Sequence, residues 1–288
     1  MRHRATLDVN GHAFDIAYQV GGEGPPLLLI HGLGASSMAW HFQLERLAEG
    51  HRVFAIDLPG HGASPPPPGP VDGDLAADVV VAFLEQVLGG PAAVAGHSLG
   101  GALALLVTLR RPRLVSALAL VSSAGLGREL SLSLRLMCLP GADRLVEVAG
   151  PWLVRAVGRV GPLRRRFAGG GAVDVLAPVL AEALDLYRER HAIRAFTTAL
   201  RAVAGMRGQR ARYVLADRLG ELDVPVLVVW GSGDRVLPLV HGLRAAEAVR
   251  GRFEVLDCGH SPMLEAAARF TEVLREFLAG VAPRPALA

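Results

Sequence analysis

The chain has 288 residues, 51% of them hydrophobic, and carries 30 basic against 27 acidic side chains for a formal net charge of +3. That is enough for one large domain or a domain with an insertion, and no uncharged apolar run reaches the roughly 18 residues of a transmembrane span. Every basic side chain other than histidine is arginine, so lysine chemistry of the Schiff-base, pyridoxal-phosphate or Walker type is excluded.

Residues 4–9 and 13–20 read as two strands, with Asn10-Gly11 as the hairpin turn. Leu27-Leu28-Leu29-Ile30 is an unbroken apolar run, the pattern of a strand buried on both faces. It ends in His31-Gly32-Leu33-Gly34-Ala35-Ser36-Ser37, and a helix is predicted over 39–48. The strand Arg52 to Asp57 leads into Leu58-Pro59-Gly60-His61-Gly62-Ala63-Ser64. Pro65 to Pro70 forms a stiff loop. Asp72 or Asp74 caps a helix that runs to about Leu88.

Pro91-Ala92-Ala93-Val94-Ala95 is the next buried strand, followed by Gly96-His97-Ser98-Leu99-Gly100-Gly101 and a Leu/Ala-rich helix to Arg110. Strand must become helix within a few residues, with Ser98 at the corner. That is the context a G-x-S-x-G motif needs, and Gly96 and Gly100 stand where side chains have no room. Ser116 to Ser122 is a further buried strand.

From Gly125 the strand pattern stops and Arg-rich helical patterns take over until Val224. Residues 125–220 hold 16 Arg against 8 acidic residues, whereas the rest of the chain holds 14 against 19. Aromatics make up only 5% of the chain, so this basic segment lacks the stacking groups of a nucleic-acid binder, and none is expected as a partner. Leu130 to Met137 and Trp152 to Val160 have amphipathic character, with Arg155 and Arg159 on one face. Arg164-Arg165-Arg166 could draw the segment weakly to anionic lipid. Val224 to Trp230 restores the strand pattern, Pro238 to Val249 a helix and Arg252 to Leu256 a strand. The last helix carries Phe270, Val273, Leu274, Phe277 and Leu278 as one stripe.

Strand–helix alternation on both sides of a helical block predicts an α/β fold: a mostly parallel central sheet flanked by helices, with an inserted helical cap. Residues 1–124 and 221–288 form the core and 125–220 the cap. The two cysteines, Cys138 and Cys258, lack metal-ligand spacing, and polar Asp8, Asn10 and His12 follow the basic start where a signal peptide would be apolar. A reduced, cytoplasmic setting is expected.

A serine hydroxyl needs a base, and the base needs an orienting carboxylate. His260, in Asp257-Cys258-Gly259-His260, follows the last strand and so falls at the same sheet end as Ser98. Asp234, in Gly231-Ser232-Gly233-Asp234, is the first candidate carboxylate and Asp57 the second. The backbone N–H groups of Leu99 and Leu33 are candidates for an oxyanion hole. This chemistry calls for no cofactor and no metal.

Taken together, His31-Gly32-Leu33-Gly34, Asp57 to Ser64, Gly96 to Gly101, Gly231 to Asp234 and Gly259-His260 resemble the α/β-hydrolase family in content and order. Ser123 to Glu129 and Phe196 to Val203 resemble a capped bacterial subgroup, which holds esterase/lipase-like proteins and the hydrolase-like domain of acetoin-dehydrogenase acyltransferases. The resemblance implies Ser98 as nucleophile, Asp234 as acid, His260 as base, and Leu33 and Leu99 as oxyanion donors. It implies hydrolysis of small carboxylic esters through an acyl-enzyme. Lipase, thioesterase and acyltransferase activities share such a site, and a non-catalytic small-ligand-binding relative is the alternative from another class. His97 before the serine and Ser261 after the histidine differ from the Asn and Trp of the family's carbon–carbon bond hydrolases.

Overall fold

The computed structural model describes residues 2–67, 69–142, 144–145, 148, 190–249 and 251–282. The chain opens with β1 (Arg2–Val9) and β2 (His12–Gly21). Asn10 and Gly11 between them have φ of 55° and 80°, the paired left-handed conformations a two-residue hairpin turn needs. Then come β3 (Pro26–Ile30), a 3-10 turn (Ser37–Trp40), α1 (His41–Leu47), β4 (Arg52–Ile56) and α2 (Gly73–Phe83). Asp72 is the cap of α2, its Oδ1 accepting from the N–H groups of Asp74 and Leu75 at 3.1 and 3.0 Å. The α-helix stops at Phe83 and continues as a π turn (Leu84–Leu88), closed by Gly89 in the left-handed conformation.

The middle of the chain supplies β5 (Ala92–His97), α3 (Leu99–Arg110) and β6 (Val115–Val121). The segment after β6 contributes α4 (Leu132–Met137), α5 (Arg190–Val203), β7 (Ala204–Gly205) and β8 (Gly208–Gln209). The chain ends with β9 (Val226–Gly231), α6 (Leu239–Val249), β10 (Arg252–Leu256), α7 (Pro262–Glu265) and α8 (Ala267–Ala279).

Eight strands form one sheet in the order β1-β2-β4-β3-β5-β6-β9-β10. Strand β2 runs against both its neighbours, and all the other pairings are parallel. The chain goes from β3 to β4 on one side, then returns to place β5 on the other. The loops after β3 and β5 therefore diverge, which opens a crevice at the carboxyl ends of these strands.

Alternate residues of β3 feed two separate cores. Leu28 and Ile30 pack with α2, α3 and α6 residues such as Val80, Leu103 and Ala245. Leu27 and Leu29 pack with α1 and α8 residues such as Leu47, Phe270 and Leu274. These four β3 side chains are fully buried, each worth about 1.5–3 kcal/mol relative to exposure.

Hydrogen bonds join the described chain just after β6 to the described chain before β9. The Gly125 carbonyl accepts from Leu215 N–H at 2.7 Å, and the Gly125 N–H donates to Gln209 Oε1 at 2.8 Å. Gln209 N–H donates in turn to the Arg128 carbonyl at 2.9 Å. The expectation of a strandless insertion is corrected here by the antiparallel pair β7 and β8. Two residues per strand are too few to leave an alternating pattern in the sequence. The predicted helix at Trp152 to Val160 and the run Arg164-Arg165-Arg166 lie outside the described residues.

Candidate active site

Ser98 sits between β5 and α3 with φ 52° and ψ −116°, a sparsely populated conformation costing on the order of 1–3 kcal/mol for a non-glycine residue. Its backbone is pinned from outside. The Ser98 N–H donates to Val121 O at 3.0 Å, and the Ser98 carbonyl accepts from Ala124 N–H at 2.9 Å. The flanking glycines are sterically required. A Cβ on Gly96 would collide with the Gly100 backbone, and one on Gly100 with the Ile30 and His31 carbonyls.

His260, between β10 and α7, presents Nδ1 to Asp234 Oδ2 at 2.8 Å. A carboxylate only accepts, so Nδ1 donates, and in the neutral ring the Nε2 lone pair is left available. Asp234 follows β9 and its side chain is fully buried. Its other oxygen, Oδ1, accepts from the N–H groups of Val236 and Leu237 at 2.8 and 3.0 Å. Burial alone would raise the Asp234 carboxyl. The hydrogen bond and charge of His260, then the two backbone bonds, outweigh it and hold the group below the usual aspartate value.

Ser98, His260, Leu33 and Leu99 line one cavity of about 190 Å³, walled also by Leu130, Leu134, Phe196 and Leu200. No hydrogen bond joins Ser98 Oγ to His260 across it among the described residues. Such bonds are often long without substrate and tighten in the complex. Leu99 opens α3, where the helix dipole favours developing negative charge.

Three buried imidazoles hold this architecture in place. His97 Nε2 donates to the His260 carbonyl at 2.8 Å, and the two rings lie 4.8 Å apart. His97 Nδ1 is buried without a hydrogen-bond partner among the described residues, and a Cβ on Gly32 would come to 2.9 Å from it. Burial, then the neighbouring His260, push the His97 imidazole down to about 3. His31 Nδ1 donates to the Gly32 carbonyl at 2.7 Å, while Nε2 accepts from Leu58 N–H at 2.9 Å. Its affinity for a second proton is lowered chiefly by burial. His61 donates from Nδ1 to Pro59 O at 3.0 Å, and burial followed by the nearby His31 lowers it to about 4.

Asp57, the second carboxylate candidate, is fully buried and engaged elsewhere. Its Oδ1 accepts from Ser37 N–H at 2.6 Å and its Oδ2 from Ala63 N–H at 2.9 Å, which ties the loops after β3 and β4 together.

A family model described as "Alpha/beta hydrolase family" matches residues 27–273. The chain belongs to the alpha/beta hydrolase family. Among curated relatives of this α/β-hydrolase-family chain is an uncharacterized protein of Mycobacterium tuberculosis, 32% identical over 270 residues, covering 93% of this chain and 79% of that one. A second is the dihydrolipoyllysine-residue acetyltransferase component of the acetoin cleaving system of Pseudomonas putida, 33% identical over 265 residues. The match covers 91% of this chain and 65% of that protein, so this chain spans about two thirds of that relative's length. Among solved structures, the esterase of Thermogutta terrifontis superposes with a TM-score of 0.74 at 23% identity, covering 97% of this chain and 98% of that one, which is a likeness of fold.

Sequence reasoning missed two contacts of this α/β-hydrolase-family chain. Gln209 joins β8 to Gly125, and buried His241 meets Glu129 Oε2 at 2.7 Å, joining α6 to the segment after β6. Neither residue lies in a recognisable motif, and a lone Gln or a helix-borne His carries no local signal of its partner.

Proposed function

We propose that this α/β hydrolase cleaves carboxylic esters with an apolar acyl or alcohol part through an acyl-enzyme. Ser98 Oγ attacks the ester carbonyl while His260 Nε2 takes its proton. Asp234 holds the imidazole tautomer and stabilises the imidazolium that forms. The N–H groups of Leu33 and Leu99 receive the negative charge on the carbonyl oxygen. His260 then returns its proton to the departing alkoxide, and a water activated by the same imidazole releases the acid. Residues 1–124 and 221–288 serve as the catalytic core and 125–220 as the cap over the pocket.

The observation that carries the proposal is the 2.8 Å His260–Asp234 bond to a buried carboxylate, with His260 on the same cavity wall as Ser98. The Thermogutta neighbour is an esterase, which supports the reading. The acetyltransferase name of the Pseudomonas relative keeps acyl transfer by the same residues as the second reading. Lipase and thioesterase activities use the same steps. No described helix is long and apolar enough to cross a membrane.

The test is turnover of p-nitrophenyl butyrate together with labelling by a fluorophosphonate probe. Wild-type protein is expected to do both, and Ser98→Ala neither, with an unchanged circular dichroism spectrum. Labelling of a residue other than Ser98, or turnover that survives Ser98→Ala, would remove the proposal. Labelling at Ser98 without ester hydrolysis would favour acyl transfer, and absence of both a non-catalytic small-ligand binder.

A further inference from the structure

A second cavity, of about 420 Å³, lies beside the one that holds Ser98. Its volume is in the range that encloses drug-sized ligands, roughly 300–1,000 Å³, whereas the Ser98 cavity is smaller than that range. The two share walls: Leu99 and Val203 line both. They are therefore neighbours across Leu99, the residue after the nucleophile, while Ser98 and His260 themselves line the smaller one.

One helix divides them. On α5, Ala195 and Ala199, spaced i, i+4, face the larger cavity, while Phe196 and Leu200, also i, i+4, face the smaller one. Arg194 and Thr198 of the same helix also line the larger cavity, so its α5 wall carries two alanines, a threonine and an arginine, whereas the smaller cavity meets the bulky Phe196 and Leu200. The wall opposite Ala195 and Ala199 is the proline-rich loop, represented by Pro66, Pro67 and Pro70. Proline has no backbone N–H and a fixed φ, so this wall offers an apolar guest few unsatisfied donors and loses little entropy on binding it. The loop is tied back to the strand end by Gly60 N–H, which donates to the Pro65 carbonyl at 3.1 Å.

We infer that the substrate is an asymmetric ester: a compact arm occupies the chamber at Phe196 and Leu200, and a bulky uncharged apolar arm occupies the chamber between the proline loop and α5. Ala199 sets the size limit of the bulky arm. This rests on the ester-hydrolase proposal and names the substrate class for that site.

The test fills the larger chamber with Ala199→Trp, and in a second variant with Thr198→Phe from the same wall. Two ester series are assayed: p-nitrophenyl esters from acetate to decanoate, and acetates of phenol and 1-naphthol. The ratio of kcat/KM for the largest to the smallest member of at least one series is expected to fall tenfold or more in Ala199→Trp. An unchanged ratio in both series and both folded variants overturns the inference while leaving ester hydrolysis intact. Binding gives a readout independent of turnover. In the Ser98→Ala background, calorimetric affinity for 1-naphthyl acetate is expected to drop at least fivefold when Ala199→Trp is added. Equal affinity overturns the two-chamber assignment even if no ester is hydrolysed.

Discussion

Asp234→Asn separates the electrostatic role of this carboxylate from its shape. Both backbone bonds, from Val236 and Leu237, fall on Oδ1, and His260 bonds to Oδ2. An asparagine that keeps the two backbone bonds must place its oxygen at Oδ1 and its NH2 at Oδ2. The amide then donates to His260 Nδ1, which moves the imidazole proton to Nε2 and removes the lone pair that Ser98 needs. The lost charge adds to this. An imidazolium and a carboxylate about 4 Å apart, centre to centre, attract by about 4 kcal/mol at an effective dielectric constant of about 20. That corresponds to about 10³-fold in rate. The expected loss in kcat/KM for p-nitrophenyl butyrate is therefore about 10³-fold or more, with thermal stability nearly retained. A loss under about tenfold in a folded variant would refute the assignment of Asp234 as partner of the base.

The other buried carboxylate behaves differently under the same change. Asp57 accepts one N–H on each oxygen, so Asp57→Asn leaves one buried donor facing another. It is expected to cost about 1–3 kcal/mol of stability, read as a lower melting temperature, with the smaller effect on rate. Gly100→Ala drives a methyl into the Ile30 and His31 carbonyls. It is expected to lower stability by about 1–3 kcal/mol, and a wild-type urea midpoint would contradict that packing. His61 and His97 are held neutral in the fold, near 4 and 3, below the free value of 6.5. The unfolded chain takes up protons first, so their contribution is complete above about pH 6.5 and is lost as pH falls toward 4. The slope is about 1.4 kcal/mol per pH unit for each group. The urea midpoint is expected to be lower at pH 5 than at pH 7.5, and equal midpoints would refute the burial of neutral imidazoles.

The parallel core was legible because its strands are continuous apolar runs, and a run such as Leu27 to Ile30 has no other use than burial on both faces. The candidate site was legible because a parallel sheet sends every strand's carboxyl end to one rim, so Ser98, Asp234 and His260 could be placed together from their positions after β5, β9 and β10. The sequence ranks Asp234 before Asp57 without showing what either side chain touches. Both follow strands into that rim, and only the fold brings Asp234 to His260 while Asp57 turns to the Ser37 and Ala63 backbone. The π turn after Phe83 and the four-residue pair β7–β8 left no pattern, because neither is long enough to repeat its period. The proline loop announced its stiffness but not its neighbour, since contact with α5 depends on where the insertion returns.

The bond between Gly125 and Leu215 has an evolutionary corollary. The two ends of the chain between them are bonded to one another, at 2.7 Å between Leu215 N–H and the Gly125 carbonyl. Because the bond joins these two ends directly, their spacing does not depend on the length of chain between them. A fastening of this kind lets the intervening sequence drift with less consequence for β6 and β9, which pair with each other in the sheet.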